Sequence, residues 1–129
     1  MIKKWNAVVK PKDNVFHLGD FFLCATARMK EIMNRLNGNI YLIRGNHDRR
    51  SRTKLVERLG FVDVYDYYIY QDYILTHRPI TNPVLFNVHG HTHSQRENDN
   101  KHFCVSVEKT GYQPITLPVL EKQIKKLVS

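Results

Sequence analysis

Apolar positions recur in short blocks that switch between strand and helix spacing. Val15-Phe16-His17-Leu18 is a brief apolar run stopped by Gly19-Asp20, the pattern of a buried strand. Between Ala25 and Leu36, residues Met29, Ile32, Met33 and Leu36 fall on one helical face, and Asn37-Gly38 is a stop signal. Ile40 to Ile43 reads as a second buried strand running into Gly45-Asn46-His47-Asp48. Ser51 can cap a helix through Leu59 that Gly60 ends. Phe61 to Leu75 is rich in Tyr, Val and Ile with Gln71-Asp72 at a turn. It reads as a hairpin whose second strand, Tyr73-Ile74-Leu75, runs into Thr76-His77. Val84 to Val88 predicts a strand ending in His89-Gly90-His91-Thr92-His93, and Phe103 to Val107 alternates as another. Pro118 to Leu127 predicts a last helix with Val119, Leu120, Ile124 and Leu127 facing inward.

Strands that alternate with helices predict a layered α/β fold. Each polar cluster follows directly on a predicted strand, and in such folds ligands gather at the carboxyl ends of strands. Asp20, Asn46-His47, His77 and His91-x-His93 therefore converge if their strands are neighbours.

At 129 residues the chain reads as one domain, residues 1–129, with a core of its own. No stretch has the apolar length of a membrane span, and the start shows no secretory signal, which points to a cytoplasmic protein. Cys24 and Cys104 are far apart in sequence and form no Cys-x-x-Cys pattern, so they read as buried thiols rather than zinc ligands. The net charge of +8 attracts anions. The Lys and Arg residues are scattered, as on a solvated face, so nucleic acid is kept as a partner without being favoured.

The chemistry lies in His, Asp and Asn, nitrogen and oxygen donors suited to borderline and hard divalent ions. In His91-Thr92-His93 the imidazoles are two apart and face one side of an extended segment. Each signal has a plain reading beside it. A lone His after a strand, such as His77, is more often a surface or satisfied core residue. Gly-Asp is a common turn pair, and Gly-Asn-His-Asp also suits an Asx-turn. Three histidines in five residues after a strand seldom arise for packing. His17, His89 and His102 read as packing residues or as groups that orient a ligand.

Together, Leu18-Gly19-Asp20, Gly45-Asn46-His47-Asp48, His77 and Gly90-His91-Thr92-His93 resemble the motifs of the calcineurin-like metallophosphoesterases, in the family's order and over nearly the whole chain. The segment Tyr112-Gln113-Pro114-Ile115-Thr116-Leu117 is similar to the end of small bacterial and phage members. The resemblance implies a four-layer α-β-β-α sandwich. It implies that Asp20 bridges two metals, that Asn46, His77 and His91 complete the second metal's shell, and that His93 binds the first. His47 would bind no metal but would stabilise the transition state or protonate the leaving oxygen, with Asp48 orienting it. The implied cofactors are two divalent ions, manganese first, with iron, zinc or nickel also suited. A metal-bridging hydroxide would attack a phosphomonoester or phosphodiester.

The resemblance also has a gap. The family opens with a strand ending in Asp-x-His, and no such motif stands upstream of Asp20. Met1 to Val9 resembles the end of a later helix, so the chain reads as N-terminally incomplete, lacking its first strand, with neighbouring strand edges exposed. The first metal would keep only Asp20 and His93. Two alternatives follow: a non-catalytic or impaired single-metal-binding module, and a nucleic-acid-binding protein or nuclease. An incomplete sheet also leaves homo-oligomer pairing open.

Overall fold

Two β-sheets organise the chain, and the alternation of side chains along each strand decides what covers each face. A computed structural model describes residues 2–18, 26–44, 53–90, 99–105 and 114–128. Helix α1 (Ile2–Val8) leads into β1 (Asn14–His17); α2 (Thr26–Arg35) follows, then β2 (Asn39–Ile43). These strands and β3 (Val64–Tyr65) form a parallel sheet in the order β1-β2-β3. The second sheet has the order β4-β5-β6-β7, from β4 (Tyr68–Tyr70), β5 (Tyr73–Thr76), β6 (Phe86–His89) and β7 (His102–Cys104). β4 runs antiparallel to β5, whereas β5, β6 and β7 are parallel. Helix α3 (Leu117–Val128) comes last. This is the mixed α/β architecture that the alternation of elements predicts.

The first sheet is covered on both faces, as parallel sheets are. Val15, Ile40, Leu42 and Val64 face Trp5, Met29, Met33 and Leu36 from the helices, and Leu55, Leu59 and Phe61 from the turn before β3. The side chains between them, Phe16, Ile43 and Tyr65, point the other way and join Leu18 in a second core. There they meet Leu75, Val88 and Phe103, which lie opposite one another across β5, β6 and β7. Leu120 and Ile124 of α3 close this cluster, with Leu127 against it. Val119, expected inward, is 47% exposed; Leu120 takes the buried place beside it.

Three further readings need correction. The hairpin expected over Phe61 to Leu75 contains only β4 and β5. The earlier backbone is already committed to the first sheet: Val62 N donates to Ile40 O at 2.8 Å, and Leu42 N donates to Asp63 O at 3.0 Å. Burying Val64 in the first core completes that switch between sheets. The helix expected from Ser51 is, where described, a π-helix at Lys54–Arg58, with Leu59 N bonding Lys54 O at 3.2 Å. The strand expected at Val84 starts two residues later, because pairing with β5 begins at Phe86. β1 has β2 on one side, and its other edge pairs with no described strand. Cys104 is buried, as expected; Cys24 lies outside the described residues. No described helix is long and apolar enough to cross a membrane.

Residue 37 ties α1 to the end of α2. Trp5 Nε1 donates to Asn37 O at 2.9 Å, Asn37 N donates to Asn6 Oδ1 at 2.8 Å, and Asn37 Nδ2 donates to Val9 O at 3.0 Å. The chain then reverses through Gly38 at φ +100°, where a Cβ would stand 2.7 Å from Val9 Cγ1. We expect Gly38→Ala to lose roughly 1–2 kcal/mol from the left-handed backbone alone. Leu42, fully buried, should lose about 2–5 kcal/mol as Leu42→Ala. Urea unfolding of each variant measures both.

Candidate functional site

The carboxyl ends of β1, β5 and β6 meet, although β1 belongs to one sheet and β5 and β6 to the other. Leu18 follows β1, and its carbonyl oxygen lies 2.8 Å from His77 Nδ1, one residue past β5. Gly90, one residue past β6, donates its N–H to Thr76 O at 3.2 Å and His77 O at 3.0 Å. Its bare Cα also lies against Leu18: a Cβ there would run into the Leu18 carbonyl oxygen and stand 2.8 Å from Leu18 Cβ. Glycine is required here by this close approach. β2 ends alongside β1, with His17 opposite Leu42, and Arg44 N donates to Tyr65 O at 2.9 Å.

His77 is 6% exposed, and its Nε2 is sealed from solvent. A backbone carbonyl only accepts, so Nδ1 carries the proton that bonds Leu18 O. In the neutral ring this leaves the lone pair on Nε2. A ligating histidine is oriented by such a bond from its other nitrogen. The donor chemistry and orientation of His77 therefore fit a divalent cation. The other expected ligands, Asp20, Asn46, His91 and His93, and the expected acid His47 with Asp48, lie outside the described residues. Among the described residues no three His, Cys, Asp or Glu side chains group as a metal would require.

The sequence reading missed what stands behind His77. Asn87, on the outer face of β6, is fully buried. Its Nδ2 donates to Ile74 O at 3.0 Å and to Thr76 Oγ1 at 2.9 Å, and its Oδ1 accepts from Ile80 N at 2.9 Å. Thr76 Oγ1 donates in turn to Arg78 O at 2.6 Å. His102 Nε2 donates to Ile80 O at 2.7 Å, while its Nδ1 lies 2.9 Å from Asp99 Oδ1. His102 thus anchors a segment as well as packing. The available signal was a buried polar residue at an alternate position of an apolar strand. His89 is buried edge-on to His102, and His17 stacks on Trp5. Burial opposes ionisation of Asp99, but bonds from the Lys101 amide and the His102 ring outweigh it, holding its carboxyl below the usual 3.8.

An open hollow of about 440 Å³ lies on the outer face of the second sheet, lined chiefly by Ile69, Ile74, Ile80, Pro83, Val84 and Leu85. It contains no ionisable side chain and is distinct in composition from the strand ends.

A family model described as calcineurin-like phosphoesterase matches residues 2–129. The chain is 34% identical to an uncharacterized protein, MJ1445, of Methanocaldococcus jannaschii, across 98% of this chain and 74% of that protein. It is also similar to the crystal structure of AQ665, a protein of unknown function from Aquifex aeolicus. That likeness has a TM-score of 0.67 and 26% identity, and covers 98% of this chain and 82% of the other.

Two outcomes test this geometry. Gly90→Ala should lower stability by about 1–3 kcal/mol in urea unfolding, as overpacking against Leu18 does. Asp99→Asn should be less stable than the parent at pH 7. Because the folded carboxyl titrates below its unfolded value, its contribution is present above about pH 3.8 and fades as pH falls through the folded pKa. Thermal midpoints of the two proteins should therefore converge at acid pH.

Proposed function

Because the chain belongs to the calcineurin-like phosphoesterase family, we propose that it is a metal-dependent phosphoesterase acting through one site at the carboxyl ends of β1, β2, β5 and β6. Phosphate esters are the substrate class that the family implies. The observation that carries the reading is the His77 ring, whose Nδ1 is bonded to Leu18 O so that its lone pair lies on buried Nε2. Connectivity supports it. Asp20 is two residues beyond Leu18 in the sequence, and His91 directly follows Gly90.

In this reading Asp20, Asn46, His77 and His91 hold one divalent ion, and Asp20 and His93 contribute to a second. Manganese is the first choice. The ions would supply charge neutralisation at the phosphoryl oxygens and acidify a bound water. As the oxygen of the attacking water bonds to phosphorus and the ester P–O bond breaks, His47 would donate its proton to the leaving oxygen, with Asp48 orienting its ring. Residues 1–129 belong to one phosphoesterase domain.

A second reading is a module that binds a single metal and turns over poorly. What favours it is that residues 1–129 offer the first metal two of the candidate side chains, Asp20 and His93.

The test is hydrolysis of bis-p-nitrophenyl phosphate and p-nitrophenyl phosphate by the manganese-loaded chain, with metal content by elemental analysis. Two metals with turnover support the enzyme; one metal without turnover supports the module. His47→Ala should lower kcat by about 10²–10⁴-fold and leave the metal content unchanged. Full activity in that variant would rule out the role given to His47.

A further inference from the structure

His77 stands at a pivot. β5 ends at Thr76, and the next residues fold back over the outer face of the sheet, where Ile80 N meets Asn87 and Ile80 O meets His102. The His77 ring turns the other way, to the carbonyl of Leu18 at the end of the first sheet. Its position is therefore set by how firmly the backbone on either side of it is held.

Asn87 holds both sides. Its two amide hydrogens go to Ile74 O and Thr76 Oγ1, before His77, and its carbonyl oxygen accepts from Ile80 N, three residues after it. Thr76 Oγ1 extends the hold to Arg78 O at 2.6 Å. All of these partners fall within residues 74–80. An amide with no solvent exposure is costly to bury unless its polar groups are paired. An apolar residue would fill the space beside Ile74 without tying down the segment. His102 adds a second hold on residue 80, through its carbonyl, from the next strand.

We propose that Asn87, acting through Thr76 and Ile80, is the positioning residue that fixes His77 for metal binding. The proposal rests on the reading of His77 as a metal ligand. Asn87 itself touches neither metal nor substrate. Its effect is to keep Nε2 of His77 in one place relative to the end of β1.

Cobalt(II) titration of the full chain tests this, following the visible absorption of bound cobalt and its dissociation constant, with urea unfolding alongside. Asn87→Asp keeps the size and an acceptor for Ile80 N but removes both donors. Thr76→Val removes only the link between Asn87 and Arg78 O, and Thr76→Ser restores it. Asn87→Asp and Thr76→Val should bind cobalt about 10–100-fold more weakly, the usual effect of losing a ligand's supporting hydrogen bonds, with an altered spectrum. Thr76→Ser should recover wild-type affinity and spectrum. Leu59→Ala, which destabilises the other core, should leave both unchanged.

Folded Asn87→Asp and Thr76→Val proteins with wild-type affinity and spectrum would overturn the proposal. So would an equal loss in Leu59→Ala, which would trace the effect to stability alone. If His77→Ala binds cobalt as the wild type does, the metal role of His77 falls and the proposal with it. That outcome is distinct from the case in which His77 is required and Asn87 is not.

Discussion

The contact between Leu18 and the pair His77 and Gly90 is the constraint on which the site depends. It joins the ends of strands from different sheets: Leu18 follows β1, whereas His77 and Gly90 follow β5 and β6. Two sheets packed through apolar side chains can slide, because such packing is non-directional. A 2.8 Å hydrogen bond and a glycine pressed against a carbonyl are directional, and they set the relative position of the strand ends. The same bond places the proton on Nδ1 of His77, so alignment of the sheets and orientation of the ring are one event.

The rest of the fold serves that alignment. Alternation along β1, β2 and β3 sends Leu42 and Val64 toward the helices, and Ile43 and Tyr65 toward the second sheet. Two cores thus share one sheet, and the strand ends are pinned from both faces. On the far side of the second sheet a different principle operates. Asn87 and His102 are buried polar groups whose bonds converge on Ile80, and paired polar groups specify geometry where apolar packing only fills space. The molecule therefore holds its segments by shape in the cores and by hydrogen bonds at the turns leading into the site.

Period and punctuation made most elements legible in the sequence. Met29 and Met33 marked the buried face of α2, with Leu36 just past its end, and Gln71-Asp72 marked the tip of the hairpin. Errors arose where pairing partners decide the outcome. Nothing local in Val62-Asp63-Val64 says that its backbone bonds go to β2 rather than to a hairpin partner. Val119 and Leu120 are equally apolar neighbours, and only the direction of the second core chooses Leu120. Of the candidate site, His77 and Gly90 were legible as residues that directly follow apolar strands. The supporting residues were not. Asn87 sits in an ordinary strand, and its role appears only when Ile74, Thr76 and Ile80 surround it.

The most direct measurement is anomalous X-ray diffraction from crystals grown with manganese, collected on both sides of the manganese absorption edge. The account predicts an anomalous peak at ligand distance from Nε2 of His77, with Nδ1 still bonded to Leu18 O. A peak remote from His77, or one on Nδ1 with the Leu18 bond broken, would contradict it.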